Sequence, residues 1–261
     1  MADTRLDIYL VNQHFYETRS RAQDAISEGK VSVNNKIIYK CSYRMHEDDT
    51  VKVLDSQEEY ASRGAYKLLD AIDSFDIVLK DKVCLDLGAS TGGFSDVCLK
   101  KGVTYVYAVD VGHGQLIERL ANDERVCNIE GVNCRDIDLS LFDKHIDFVC
   151  MDVSFISINK IVANLVNQLI PPYEMVFLIK PQFEVGKAFI NKHGIVRNEK
   201  AVISVIKDYL NYFKVLGLEV LNLKKCNISG RDGNQEYLVY LSNSKRKSRQ
   251  FNVEAIVKQK G

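Results

Sequence analysis

The chain begins with a helical pattern of apolar residues and then changes to a strand pattern. Apolar positions recur at helical spacing over residues 5–30, in two segments of which the second can be capped by Thr18. The next run, VSVNNKIIYK, alternates on either side of Asn34 and Asn35, which predicts a β-hairpin with a type I′ turn. DDTVKVLD then supplies a third short strand. The pattern predicts a small α+β domain over residues 1–55.

A longer region of alternating strand and helix patterns follows. The stretch LDSQEEYA is acidic and polar, and we interpret residues 56–61 as a linker. SRGAYKLLDAIDSFDI then predicts a helix with one apolar side. Five strand patterns come next, in VCLDL, VTYVYAVD, ERVCNIE, IDFVCMD and EMVFLIK. An amphipathic pattern over residues 198–216 predicts a long helix, and LEVLNLKK and QEYLVYL predict two closing strands.

The number and order of these strands favour one fold class. Seven strands that end in a hairpin are typical of the class I (Rossmann-like) methyltransferase sheet and less typical of a nicotinamide-binding Rossmann domain. We therefore predict an α/β domain of this class over residues 62–244, preceded by the small α+β domain. The sequence SNSKRKSRQ is basic, and we expect it to be mobile and either to contact RNA or only to favour solubility. We interpret residues 245–261 as a basic tail outside the domain.

A glycine-rich turn follows the first strand of the larger domain, in VCLDLGASTGGF. Glycine lets the backbone turn sharply and approach a ligand closely. A strand, a glycine-rich turn and a helix N-terminus together form the nucleotide-binding corner of a doubly wound domain, although such turns also close βα units without a ligand. The predicted cofactor-binding residues of this corner are Asp86, Gly88, Ala89, Ser90, Gly92, Gly93 and Phe94.

Acidic residues end the next strands. Asp110 ends the second strand, where a carboxylate can accept hydrogen bonds from both hydroxyls of a ribose. The alternative is that Asp110 caps a helix beginning at Gln115. Asp136 follows the third strand, where it would lie near an adenine. We predict that Asp110 and Asp136 complete a cofactor site.

Composition narrows the class of protein. The formal net charge of the 261 residues is zero, which excludes a uniformly basic nucleic-acid coat but not a local basic face. The seven cysteines form no CxxC pair, and we expect reduced core thiols and no metal site. The N-terminus lacks the order of a signal peptide, and no window reaches about 18 apolar residues. We expect a cytoplasmic protein without stable membrane association.

The N-terminal motif TRSRAQDAISEGKVSVNNK resembles the RNA-binding domain first described in ribosomal protein S-four. The resemblance covers residues 5–53 and implies that Arg19, Arg21, Lys30 and Lys36 contact RNA phosphates. Guanidinium groups suit this role because they fork onto phosphate oxygens. The alternative is a solvated helix face, since basic and acidic residues balance over this part of the chain.

Four charged residues stand at the ends of predicted elements: Lys67, Asp152, Lys180 and Glu236. This set resembles that of ribose 2′-O-methyltransferases. With SRGAYKL, DLGASTGGF, MDVSFIS and IKPQFEVGK, it resembles the TlyA family over almost the entire chain. The resemblance implies methylation of ribosomal RNA, at cytidine 2′-hydroxyls, with S-adenosylmethionine as cofactor. DVSF lacks the prolines typical of base amino-methyltransferases, which also favours ribose as the target.

A physical argument assigns roles within this set. A lysine whose ammonium is destabilised by burial and by a second lysine can take the proton of a ribose hydroxyl. We interpret Lys180 as the base and Lys67 as the group that positions the hydroxyl or stabilises alkoxide charge, a division that could be reversed, with both carboxylates orienting the lysines. The alternative is that these four residues form two ordinary salt bridges with a purely structural role. Phe183 could stack on a base and Lys187 could hold phosphate, or both could order their loop.

Two other functions stay open at this point. One is a noncatalytic RNA-binding or assembly factor that keeps the cofactor fold. The other is a membrane-active haemolysin, which the lack of a spanning or strongly basic amphipathic segment disfavours. The sequence predicts ribosomal RNA or ribosomal subunits as partners. It does not distinguish a monomer from a weak dimer, nor does it name the target nucleotide.

Overall fold

The chain folds into two compact units. In the computed structural model the described residues are 4–27, 29–34, 36–46, 48–53, 60–154, 157–230, 233–244 and 249–259. The first unit is Met1–Glu59 and the second is Tyr60–Gly261. The first unit has one apolar core. The core of the second unit consists of two apolar layers.

The predicted linker needs a correction at its C-terminal end. Residues 56–59 lie outside the described residues. Tyr60 and Ala61 are buried in the core of the second unit, and the backbone N–H of Ala61 donates a hydrogen bond of 2.7 Å to the Asp96 carboxylate. The acidic residues around Tyr60 conceal this apolar pair in the sequence, so the second unit begins two residues before the predicted boundary.

The first unit consists of two helices and a three-stranded sheet. The elements are α1 (Leu6–Asn12), α2 (Arg19–Ser27), β1 (Val31–Val33), β2 (Lys36–Ile37) and β3 (Val51–Val53). The sheet has the order β2-β1-β3 with antiparallel pairs.

Two local predictions for this unit are confirmed. The Thr18 side chain accepts a hydrogen bond of 3.3 Å from the backbone N–H of Arg21, so it caps α2. Val33 pairs with Lys36 across the hairpin, and Asn34 has a φ of 51°, the left-handed conformation that a type I′ turn requires. Asn35 lies outside the described residues, so the hairpin is confirmed and the type of its turn stays a prediction.

The second unit is a seven-stranded sheet with helices packed on both faces. Its strands are β4 (Val83–Leu87), β5 (Tyr105–Asp110), β6 (Val126–Glu130), β7 (Phe148–Met151), β8 (Glu174–Ile179), β9 (Glu219–Lys225) and β10 (Tyr237–Ser242). Its helices are α3 (Ala65–Phe75), α4 (Gly93–Lys100), α5 (Glu118–Ala121), α6 (Ile158–Gln168), α7 (Glu199–Val215) and α8 (Val253–Lys258).

The strand order confirms the predicted fold class. The order is β6-β5-β4-β7-β8-β10-β9, and only β10 runs antiparallel to its neighbours among these strands of the described chain. The central strands are buried on both faces, which explains their continuous apolar sequences. The strand order reverses between β4 and β7, and this is the place where open α/β sheets bind ligands at the carboxyl ends of their strands.

The interpretation of residues 245–261 as a tail outside the domain is wrong for α8. Asn252 caps this helix by accepting a hydrogen bond of 3.0 Å from the backbone N–H of Ala255. Val253 and Val257 are buried in the core beside α7 and β9. The two valines lie four residues apart on one helix face, a pattern too short to distinguish from chance in the sequence. Residues 245–248 lie outside the described residues.

The side chains of the cysteines agree with the expectation of core thiols. All seven are free, and Cys84, Cys98, Cys134, Cys150 and Cys226 are buried. Within the described part of the chain, no helix combines the length and the apolar character that crossing a bilayer needs.

Truncating Val257 to alanine should lower the free energy of unfolding by about 1–3 kcal/mol, because it removes buried methyl groups and leaves a cavity. Urea unfolding of the full chain measures the change. The matched control is Ala255→Ser on the exposed side of the same helix, for which we expect a change within about 0.5 kcal/mol. Equal stability of Val257→Ala and wild type would mean that α8 is not part of the core.

Candidate active site

The glycine-rich turn after β4 approaches two neighbouring elements closely. Gly88 and Gly92 have φ values of 80° and 95°, in the left-handed region that favours glycine. A Cβ atom at Gly88 would lie 3.3 Å from the backbone oxygen of Asp152, and one at Gly92 would lie 2.3 Å from Leu120 Cδ1. The turn is therefore held against the carboxyl end of β7 on one side and against α5 on the other.

Asp86 lies buried below this turn. Its carboxylate accepts a hydrogen bond of 2.7 Å from Ser95 Oγ in the first turn of α4. Burial raises the pKa of Asp86 to about 7, while the bond from Ser95 acts in the opposite direction. The side chains of Ala89 and Phe94, which the sequence assigns to the cofactor site, are buried in the core. Any contact they make with a ligand must therefore come from their backbone.

Asp110 ties the end of β5 to the glycine-rich turn. One carboxylate oxygen accepts a hydrogen bond of 2.8 Å from the backbone N–H of Ser90, and the other accepts one of 2.8 Å from that of Gly112. The alternative that Asp110 caps a helix from Gln115 is not observed, since α5 begins at Glu118. The carboxylate is acceptor-only, and each oxygen has capacity for a second hydrogen bond.

Asp136 is more exposed than the other acidic candidates. It lies in a 3₁₀ helix, Cys134–Asp136, after β6. Its side chain is 63% exposed and forms an ion pair of 3.2 Å with the neighbouring Arg135. Among the described residues the Asp136 side chain pairs with Arg135 and with none of the other predicted cofactor residues, and its role near an adenine stays a prediction.

The four charged residues, one in α3 and three that flank β7, β8 and β10, form one chain of ion pairs. Asp152 lies between the lysines, with Oδ1 2.6 Å from Lys180 Nζ and Oδ2 3.1 Å from Lys67 Nζ. Lys67 Nζ is also 2.8 Å from Glu236 Oε2. Both lysines and Glu236 are buried. Because Asp152 contacts both lysines, the arrangement differs from the structural alternative of two separate salt bridges.

Attraction between the lysines and the carboxylates offsets the cost of burying these charges. Burial alone would raise the pKa of Asp152, but Lys180 and Lys67 outweigh it and the pKa lies below its usual value. Burial would also lower the pKa of Lys67, but Asp152 and Glu236 outweigh it and the pKa is raised. The raised pKa keeps Lys67 charged at neutral pH.

The predicted RNA-binding residues of the first unit include two with protein partners. Arg19 Nε lies 3.0 Å from the buried Asp7 carboxylate, and Arg21 Nη1 lies 3.0 Å from Glu17. Hydrogen bonds from Arg5, Gln23 and Arg19 hold the pKa of Asp7 well below its usual value, although burial opposes them. Lys30 is half-buried and Lys36 is exposed. A guanidinium has five N–H donors, so an ion pair with a carboxylate does not by itself prevent contact with a phosphate. Phosphate contact by Arg19 and Arg21 stays a prediction.

Phe183 and Lys187 lie in the segment that follows β8. Phe183 ends a 3₁₀ helix, Pro181–Phe183, and is half-buried, whereas Lys187 begins another, Lys187–Phe189, and is exposed. The backbone N–H of Phe183 donates to the carbonyl of Lys180 at 3.0 Å. This bond connects the segment to the ion-pair chain, and it is compatible with either role considered for Phe183.

Sequence reasoning missed one polar group of the site. Ser154 Oγ accepts a hydrogen bond of 3.0 Å from Lys180 Nζ. Ser154 follows Asp152 by two residues, and in an extended segment such positions project to the same side. That spacing in MDVSF was the signal in the sequence that could have identified Ser154.

The fold and the site together define the class of the second unit. A sheet with one antiparallel strand inserted next to its edge, a glycine-rich turn after β4 and an acidic residue at the end of β5 are the features of a class I, Rossmann-like methyltransferase. Comparison with known proteins is consistent with this class. Residues 60–243 match the family described as FtsJ-like methyltransferase, and residues 4–51 match the S4 domain.

Whole-length relatives identify the family. Hemolysin A of Brachyspira hyodysenteriae is 39% identical over 237 residues, which are 90% of this chain and 98% of that protein. The 16S/23S rRNA (cytidine-2'-O)-methyltransferase TlyA of Mycobacterium tuberculosis is 34% identical over 238 residues, 91% of this chain and 89% of that protein. A solved structure from Streptococcus thermophilus that carries a hemolysin name is 33% identical, covers 98% and 95% of the two chains and has a TM-score of 0.77. The chain belongs to the family of FtsJ-like methyltransferases that includes TlyA and hemolysin A.

Replacing Asp86 by asparagine should change how stability depends on pH. The pKa of Asp86 is about 7 in the folded protein and about 3.9 in an unfolded chain, so ionisation of Asp86 costs stability as the pH rises between these values. Asparagine keeps an acceptor for Ser95 and carries no charge. Between pH 4 and pH 8 the wild type should lose up to about 4 kcal/mol relative to Asp86→Asn.

Urea unfolding of both proteins at a series of pH values measures this difference. The exposed Asp73, whose side chain is 71% exposed, supplies the matched control Asp73→Asn, which should stay parallel to the wild type. A constant difference between Asp86→Asn and the wild type over this pH range would show that Asp86 ionises as easily in the folded protein as in the unfolded one.

Proposed function

We propose that this chain is an S-adenosylmethionine-dependent ribosomal RNA methyltransferase that modifies the 2′-hydroxyl of a cytidine. The observation that carries the proposal is the chain of ion pairs Glu236–Lys67–Asp152–Lys180 beside the glycine-rich turn. The close approach of Gly88 to the backbone of Asp152 supports a shared site for cofactor and acid–base chemistry. The name of the TlyA relative supplies the substrate class.

The predicted cofactor residues fit S-adenosylmethionine in chemistry. Asp110 offers two acceptor oxygens, each with capacity for one more hydrogen bond, which suits a pair of ribose hydroxyls. Gly88 leaves the backbone of the turn open to close approach. The cofactor, when bound, supplies a methyl group on a positively charged sulfonium, which is transferred by in-line displacement. The buried carboxyl of Asp86 is a favourable neighbour for such positive charge once ionised.

Each residue of the ion-pair chain has a distinct task in this reaction. Lys180, once it has lost a proton to solvent and is a neutral amine, accepts the proton of the 2′-hydroxyl on Nζ, so the oxygen retains the electron pair with which it bonds the methyl carbon. Lys67, whose pKa is raised by its two carboxylate neighbours despite burial, stays charged and stabilises negative charge that develops on the oxygen. Asp152 holds both lysines, and Glu236 holds Lys67.

The first unit and the segment after β8 supply RNA contacts. The match to the S4 domain supports phosphate binding by Arg19, Arg21, Lys30 and Lys36. Phe183 and Lys187 follow the ion-pair chain in the sequence and supply stacking and phosphate contact beside the target nucleotide. The absence of proline in DVSF favours ribose over a base amino group as the acceptor of the methyl group.

Transfer of labelled methyl from S-adenosylmethionine to purified, undermodified ribosomal subunits tests the proposal. Digestion of the RNA to nucleosides should yield labelled 2′-O-methylcytidine. Lys180→Ala should reduce transfer by at least about 100-fold, since it removes the base, and should still bind the cofactor. Asp152 keeps Lys67 as its partner in this variant. Cofactor binding by the wild type without transfer to either subunit would instead favour a noncatalytic RNA-binding factor.

Asp110→Ala should weaken the binding of S-adenosylmethionine by at least about 10-fold, because it removes the acceptors for the ribose hydroxyls and the tie to the glycine-rich turn. Isothermal titration calorimetry of the full chain with S-adenosylmethionine measures the dissociation constant. The control is Asp73→Ala, an exposed carboxylate on α3, which should bind as the wild type does. An unchanged dissociation constant for Asp110→Ala would remove Asp110 from the cofactor site.

A further inference from the structure

The two lysines of the ion-pair chain have unlike neighbours. Lys67 Nζ lies against two carboxylates, at 3.1 Å from Asp152 and 2.8 Å from Glu236. Lys180 Nζ lies 2.6 Å from one carboxylate, that of Asp152, and donates a hydrogen bond of 3.0 Å to the neutral hydroxyl of Ser154. The asymmetry bears on which lysine can lose a proton, because a carboxylate favours the charged form of a lysine more strongly than a hydroxyl does.

We infer that Ser154 is a positioning residue that fixes the orientation of the Lys180 amine for proton transfer. The inference rests on the proposed function, in which Lys180 is the base. A neutral lysine amine has two N–H donors and one lone pair. Ser154 Oγ accepts a hydrogen bond from Lys180 Nζ, and Asp152 Oδ1 lies in ion-pair contact with it at 2.6 Å, so in the neutral amine these two oxygens can take the two N–H donors. The lone pair is then left for the proton of the substrate hydroxyl.

A hydroxyl suits this position better than a second carboxylate. Four charged groups surround the amine: Asp152 in contact, Lys67 across Asp152, Glu236 behind Lys67, and Asp86, whose carboxyl interacts with Asp152. The lysines and the two carboxylates in contact with them already balance in charge. A further carboxylate would hold Lys180 as an ammonium, whereas Ser154 orients the amine without adding charge.

The location of Ser154 makes the inference testable. Ser154 is exposed, so truncating it removes no core contact and should leave the protein folded. Ser154→Ala deletes the acceptor, and Ser154→Thr keeps a hydroxyl. Ser140 is also exposed and lies in the second unit, in a 3₁₀ helix outside the site, so Ser140→Ala is a matched control.

Single-turnover methyl transfer to undermodified ribosomal subunits is the first measurement. Ser154→Ala should slow the transfer step by about 10-fold, the effect of losing one orienting hydrogen bond. Its dissociation constant for S-adenosylmethionine and its KM for RNA should match the wild type. Ser154→Thr should restore most of the rate, and Ser140→Ala should not change it. A wild-type rate in Ser154→Ala would overturn the inference.

The pH dependence of the transfer rate separates positioning from a merely structural effect. The acidic limb of this profile reports loss of a proton by the base. A hydrogen bond from the ammonium to Ser154 stabilises the charged form, so Ser154→Ala should move the limb to lower pH by about half a unit while lowering the plateau. A lower plateau with an unmoved limb would mean that Ser154 does not act through the amine.

Nuclear magnetic resonance of the lysine amines gives a readout that needs no activity. In protein labelled with ¹⁵N-lysine, the signal of the Lys180 amine is the one absent from Lys180→Arg. It should shift in Ser154→Ala and not in Ser140→Ala. If the wild type transfers no methyl group, the proposed function and this inference both fail. If the wild type is active and the Lys180 signal is the same in Ser154→Ala, only the inference fails.

Discussion

The structure depends on one shared carboxylate. Asp152 lies between the ammonium groups of Lys67 and Lys180, and Glu236 supplies the second negative charge. Buried charges of this kind are tolerated only with their partners in place, and removing one partner of a buried ion pair typically costs about 3–5 kcal/mol. The ends of α3, β7, β8 and β10 must therefore meet within hydrogen-bonding distance. The packing of the sheet and the chemistry of the site therefore require the same positions of these four residues.

The same residue connects the ion-pair chain to the glycine-rich turn. A Cβ atom at Gly88 would crowd the backbone oxygen of Asp152 at 3.3 Å, and Asp110 holds Ser90 of the same turn. A shift of the turn would therefore push it against the segment that contains Asp152, the residue that holds both lysines.

The sequence was sufficient for the features that depend on local patterns. Buried parallel strands are continuously apolar, so β4, β7 and β8 could be predicted, and their ends indicated Asp152 and Lys180. Features that depend on tertiary contact could not be predicted. The burial of Tyr60 follows from packing within the core of the second unit, and the raised pKa of Lys67 follows from facing two carboxylates. The partner of Arg19 is Asp7, twelve residues earlier in the chain.

The inserted strand β10 has a consequence for the order in which the protein is built. Glu236 immediately precedes this strand, which lies between β8 and β9 although β9 comes earlier in the chain. During synthesis the ribosome releases Lys67, Asp152 and Lys180 before Glu236 emerges. Contacts between residues so far apart in sequence form late and slowly. The nascent chain therefore acquires its complete charge balance only after β10 has entered the sheet. Until then Lys67 lacks its second carboxylate partner, Glu236.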